Sequence, residues 1–155
     1  KGTEKVAAVL DRVAEAQSRV STITARFEQV RESRLLAAPS VSRGVFYFAA
    51  PDSVRWEYSS PYPMEVVIAN GVAITYRPAE KRAERVEIGR LQLVEVVIDR
   101  TRFIPVAVSY VEADGDRTAY TFHDVVLNQP LAETLFAVNL PADVNVVEVK
   151  LANRE

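Results

Sequence analysis

Few residues in this chain are suited to covalent or metal chemistry. His123 is the only histidine, so one chain offers neither a two-histidine metal site nor a pair of imidazoles for proton transfer. Ser109 and Asp124 would complete the residue types of a nucleophilic triad with it. No nucleophile elbow or glycine-rich oxyanion loop accompanies them, and His123 reads as a surface residue at a strand end. Glu112, Asp114, Asp116 and Asp124 include the run Glu-Ala-Asp-Gly-Asp, a faint likeness to a calcium loop that lacks the full spacing and the closing glutamate. A hairpin turn accounts for it. Gly44 and Gly71 fall at strand and turn positions, and no phosphate-cradling motif occurs. With no cysteine, disulfides and thiolate chemistry are excluded. The expectation is a binding protein rather than an enzyme, with no catalytic residue, metal or cofactor.

Composition agrees with that class. The 155 residues are 48% hydrophobic and 26% charged, values of an ordinary globular domain with a sizeable core. A formal charge of −2 gives no general attraction for nucleic acid or an anionic membrane. No apolar run approaches the roughly 20 residues that span a bilayer. The start, Lys1-Gly2-Thr3-Glu4, has no signal-peptide core, so a secreted protein would be present here in its mature form.

The elements that must position any site follow from periodicity. From Thr3 to Val20 the pattern is helical: Val6, Leu10, Val13 and Val20 share a face, with Val9, Ala14 and Ala16 beside it and Asp11, Arg12, Glu15 and Arg19 largely opposite. Thr3 can cap the first turn. The period then changes to two. Ile23, Ala25 and Phe27 alternate with polar residues, and strands are predicted at Gly44–Ala49, Val54–Tyr58, Met64–Ala69, Val72–Tyr76, Ala83–Ile88, Leu93–Ile98, Val106–Glu112, Arg117–Phe122 and Val144–Val149. Pro51 lies in the turn after Ala49, because proline cannot donate to a ladder. Asn70-Gly71 is a strong two-residue hairpin signal, and Arg77 to Lys81 and Asp114-Gly115 mark further turns. Closely spaced strands without intervening helices imply an antiparallel meander.

Several strands are apolar on both faces. Phe46 and Phe48 alternate with Val45 and Tyr47, and Val66 and Ile68 flank Val67. A sheet with one wet face alternates more cleanly. Either two sheets pack as a sandwich, or one curved sheet packs on the helix and lines a cavity with its other face. Arg55, between Val54 and Trp56, points away from them and reads as a residue of a solvated face that pairs with an acidic neighbour.

The order of the motifs resembles that of outer-membrane lipoprotein carrier proteins, the LolA family. The residues concerned are Phe27-Glu28-Gln29 after a helix, Gly44-x-Phe46 running to Ala50-Pro51, Arg55-Trp56-x-Tyr58, Asn70-Gly71, Tyr76-x-Pro78 and Asp114-Gly115-Asp116-Arg117-Thr118. Asn128-x-Pro130-Leu131, Phe136 and Leu140-Pro141-x-Asp143-Val144 complete the series, so the likeness runs from Val6 to Val147. It implies one mainly β domain over residues 1–155: an N-terminal helix and a single curved antiparallel sheet, forming an unclosed β-barrel around a hydrophobic cavity with a lid of short helices. It further implies a monomeric periplasmic carrier that shuttles acylated lipoproteins from an inner-membrane exporter to an outer-membrane acceptor. Under that resemblance Phe27, Phe46, Phe48, Val54, Trp56, Tyr58, Val66 and Ile68 line the acyl cavity, where ordinary core packing is the competing reading of each. Which set of side chains faces inward is taken from the family pattern.

Two departures concern the lid. Ala50 stands where many carriers place an arginine that bonds to the lid, so lid control differs here or is lacking. The segment from Arg90 to Leu93 is far shorter than the resemblance implies: either the chain is naturally compact there or, the favoured reading, a lid segment is missing near 89–92. An outer-membrane acceptor of the LolB type, or a lipid-sensing regulatory module of the same fold, is the alternative function.

Overall fold

Hairpin chemistry fixes most of the chain path. Asn70 and Gly71 both adopt positive φ (53° and 75°), as a type I′ turn demands, and they join β4 (Met64–Ala69) to β5 (Val72–Arg77). A single 3-10 turn at Pro78–Glu80, closed by Lys81 in the left-handed region, leads to β6 (Arg82–Glu87). The structure is a computed structural model; it describes residues 5, 7, 8, 11, 12, 14, 15, 18–87, 95–98, 105–111 and 115–150, with the side chains of 95–98 and 105–111 excepted.

The remaining strands are β1 (Thr22–Glu32), β2 (Ser40–Ala49), β3 (Ser53–Ser60), β7 (Glu95–Ile98), β8 (Pro105–Val111), β9 (Arg117–Leu127) and β10 (Asn145–Val149). All ten lie in one sheet, ordered β10-β6-β5-β4-β3-β2-β1-β9-β8-β7. Its two ends do not meet, so the sheet is curved but not closed, and the sandwich alternative is overturned.

The meander also needs correction. Hairpins connect β1 through β6, but β1 takes β9 as its second neighbour, and β10 pairs with β6 in parallel. The β1–β9 pairing is clasped where the strands meet. Asn128, in the left-handed region (φ 60°), accepts on Oδ1 from the Ser21 amide (2.7 Å) and hydroxyl (3.0 Å). Its own amide donates to the Thr22 carbonyl at 2.9 Å, and the Thr22 hydroxyl donates to the Gln129 carbonyl at 2.6 Å.

The helix expected over residues 3–20 is not seen as a continuous element among the described residues. Lys5, Ala7, Ala8, Asp11, Arg12, Ala14, Glu15 and Ser18 are helical and exposed, and the other positions before Ser18 lie outside the described residues. Ala14, expected beside the apolar face, is among the exposed ones, and Arg19 pairs with Glu15 one turn away. The join at 89–92 and its missing lid segment also lie outside the described residues. Among the described residues no helix is long and apolar enough to cross a membrane.

The outer face is covered by a segment that the periodicity did not single out. After β9 the chain crosses the outer face through the 3-10 turn Glu133–Phe136, which contacts β3 and β4. Leu131, Leu135, Phe136, Val138 and Leu140 are half-buried along this path, while Val67 and Ala83 are buried (4% and 0% exposed). Arg55 is buried too, at 8% exposure, which corrects its assignment to a solvated face. Its guanidinium donates to Glu65 (2.8 Å), Glu57 (3.3 Å) and the Leu135 carbonyl (3.2 Å). It therefore ties the crossing segment to the sheet, and each of its three partners satisfies part of a charge that burial would otherwise penalise. Arg55→Met is expected to cost about 2 kcal/mol, less than a fully buried ion pair because Glu65 stays 31% exposed. It should also speed amide exchange at 131–138, as followed by mass spectrometry during urea unfolding. Unchanged exchange there would remove Arg55 as the tie.

Candidate functional site

The register of the sheet determines which side chains share its inner face. Residues directly opposite in antiparallel strands point to the same side. One row runs Phe122–Phe27–Gly44–Tyr58–Met64, across β9, β1, β2, β3 and β4. A second runs Ala25–Phe46–Trp56–Val66–Thr75–Glu84, and a third Leu127–Ile23–Phe48–Val54–Ile68–Ala73–Val86. All eight residues singled out from the sequence therefore lie on one face, in three adjacent rows.

That face is concave. Trp56 on β3 and Tyr120 on β9 are separated by two intervening strands, about 14 Å in a flat sheet. Their ring centroids are only 4.6 Å apart. The sheet must fold over its inner surface for these rings to meet. Trp56 also touches Phe27 (5.1 Å), Phe46 (4.5 Å) and Phe122 (5.8 Å), and Phe27 meets Tyr58 edge-on at 4.9 Å. Edge-on and tilted contacts of this kind favour the ring quadrupoles.

Two backbone irregularities shape the hollow. A bulge in β9 opposite Ala25 holds Asp124 at φ 52°, which increases local twist and bends the strand. A second register shift lies between Arg43 and Gly44. A Cβ at Gly44 would stand 2.0 Å from the Glu57 carbonyl oxygen and 2.9 Å from the Phe27 ring. The bare backbone of Gly44 thus lets Phe27 lie across β2 and reach Tyr58.

Burial is graded across this surface. Ala25, Phe27 and Tyr58 are buried, whereas Phe46, Phe48, Val54, Trp56, Val66 and Ile68 are half-buried. The inner ring of contacts is core, and its flank retains accessible apolar surface. Tyr120, Phe122, Ala25 and Met64 belong to the same face but were not among the expected cavity residues. The i, i+2 spacing of Tyr120 and Phe122 marks a shared face, yet nothing local shows that β9 lies beside β1.

The residues considered for chemistry are dispersed. His123 is exposed within β9 beside the bulge, rather than at a strand end, and opposes Arg26 on the outer face. Ser109 opposes Ala119, four residues away along β9. With Arg26, Glu28, Arg43 and Asp124, His123 borders a shallow depression of about 530 Å³ that Phe27, Gly44, Val45 and Ser59 also line. Asp116 is buried and pairs with Arg31 at 3.2 Å, while Glu112 and Asp114 lie outside the described residues. Ala50 is exposed in the β2–β3 turn, its amide donating to the Ser21 carbonyl at 2.8 Å.

This unclosed, curved sheet, antiparallel except for the β10–β6 pair, is a fold shared with solved structures. A conserved protein from Thermus thermophilus superposes with a TM-score of 0.63 at 14% identity, over 94% of this chain and 99% of that one. A LolA superfamily protein from Nitrosomonas europaea gives 0.52 at 10% identity, over 84% and 96%. A DUF1329 family protein from Desulfovibrio piger gives 0.53 at 10% identity, over 85% and 97%. No curated protein matches the chain in sequence. Residues 18–88, which carry β1 through β6, match the family model of the outer membrane lipoprotein carrier protein LolA. The stretch from β1 through β6 is therefore similar in sequence to the LolA family, and the fold of the whole sheet is shared with the solved structures above.

Proposed function

We propose that this protein is a non-catalytic carrier that holds the acyl chains of a lipoprotein, or of similar lipidated cargo, against the concave face. The observation that carries the reading is the continuous apolar surface of Phe46, Phe48, Val54, Trp56, Val66 and Ile68, half-buried on one side of an open sheet. Moving acyl chains out of a membrane costs about 0.8 kcal/mol per methylene, and a carrier must offset this with apolar contact. Alkyl and aromatic side chains supply that contact without directional bonds, so the cargo can be released without covalent steps. In this reading the protein works in the periplasm, receives cargo at the inner membrane and yields it at the outer membrane.

The test is binding of a fluorescent fatty-acyl probe, followed by release of labelled lipoprotein from inner-membrane vesicles. Val66→Asp places a carboxylate in the second row, and it is expected to weaken probe binding at least about tenfold, since burying an unpaired charge against an acyl chain is costly. Far-ultraviolet circular dichroism checks that the sheet persists. A folded Val66→Asp protein that binds the probe like the parent would remove this face as the acyl site. Probe binding without any release of lipoprotein would count against the carrier and favour a lipid-sensing module.

A further inference from the structure

Two of the three inner-face rows change character at β5 and β6, the second ending in Thr75 and Glu84, while the third stays apolar through Ala73 and Val86. Arg77 and Arg82 are directly opposite one another in the β5–β6 ladder. Arg77 lies one register step beyond the Glu65–Tyr76 pair, beside Met64, so the row Phe122–Phe27–Gly44–Tyr58–Met64 continues into these two arginines. Like charges directly opposite on a ladder oppose pairing. One carboxylate offsets them: Glu84 Oε1 stands 3.4 Å from both guanidinium groups. Two arginines sharing one glutamate leave a net positive charge on the concave face, at the end of the aromatic row. The side chains are 35% (Arg77), 47% (Arg82) and 29% (Glu84) exposed, accessible to a ligand yet shielded on the sheet side.

We propose that Arg77 and Arg82 receive the anionic headgroup of an amphiphile, a phosphate or carboxylate, whose acyl chain lies along the rows from Met64 to Trp56. The planar forks of two facing guanidiniums suit the oxygens of such a group, which completes the charge balance that Glu84 leaves unfinished. The proposal rests on the acyl-binding reading above and adds the headgroup class to it.

Calorimetric titration compares a monoacylglycerol phosphate with the uncharged monoacylglycerol of the same chain length, using the full chain. The phosphate form is expected to bind about tenfold more tightly. The doubly substituted R77Q/R82Q protein should lose that preference while binding the uncharged form as before. Glu84→Gln, which removes the competing carboxylate, should widen it. Equal affinities in the parent, or a preference that survives in R77Q/R82Q, would overturn the headgroup assignment and leave acyl binding standing. Displacement of the amphiphile by an equal concentration of inorganic phosphate would also overturn it, by showing a plain anion site. If neither amphiphile binds, the acyl reading fails and takes this one with it.

Discussion

Gly44→Ala is expected to destabilise the protein by about 3 kcal/mol, at the upper end of overpacking costs, or to prevent folding at physiological temperature. The added methyl group would stand 2.0 Å from the Glu57 carbonyl oxygen. That atom belongs to the backbone of the neighbouring strand and cannot rotate aside. The added methyl group also meets the Phe27 ring at 2.9 Å, and moving that ring breaks its contacts with Tyr58 and Trp56. Gly71 provides the comparison. Nothing lies within 4 Å of a Cβ there, and only its φ of +75° disfavours a side chain, so Gly71→Ala should cost about 1 kcal/mol. Urea unfolding of the two variants measures the difference. Equal midpoints would show that the close approach at Gly44 is relieved at little cost.

Trp56 carries the second large effect. It touches four aromatic rings contributed by β1, β2 and β9, and it is half-buried. Trp56→Ala is expected to cost about 3 kcal/mol, at the low end for a large aromatic because part of the ring already faces solvent. Binding and folding are separated by a measurement on the unaltered protein. Trp56 is the only tryptophan, so intrinsic fluorescence reports from the second row of the concave face alone. Fatty acids brominated along the chain should quench its emission on binding, because heavy-atom quenching needs near contact. Binding detected by calorimetry without quenching would place the acyl chain elsewhere. Trp56→Phe should retain most of the stability, since it preserves a ring among its neighbours.

The strands themselves were legible in the sequence because their signals are local. Period-two alternation marked β1, β-rich runs bounded by turn residues marked the other nine, and Asn70-Gly71 specified its hairpin through the φ values such a turn requires. The parity of Phe46 and Phe48, and of Val54, Trp56 and Tyr58, was also legible, since successive side chains of a strand alternate. With hairpin register added, that parity puts all eight expected residues on one face.

Contacts between distant segments were decided only by the tertiary structure. Pairing of β1 with β9 joins residues about a hundred positions apart, and loop closure over that distance leaves no local mark. It brings Tyr120 and Phe122 onto Trp56 and so completes the aromatic face. The parallel return of β10 to β6 and the crossing of Leu131 to Leu140 over the outer face are of the same kind. Local alternation places Arg55 opposite Trp56 and suggests solvent, whereas the crossing segment buries it and turns a surface charge into a tie. The expectation of a binding protein rests on composition alone, with one histidine and no cysteine. The concave face, and the two arginines that end its aromatic row, required the fold.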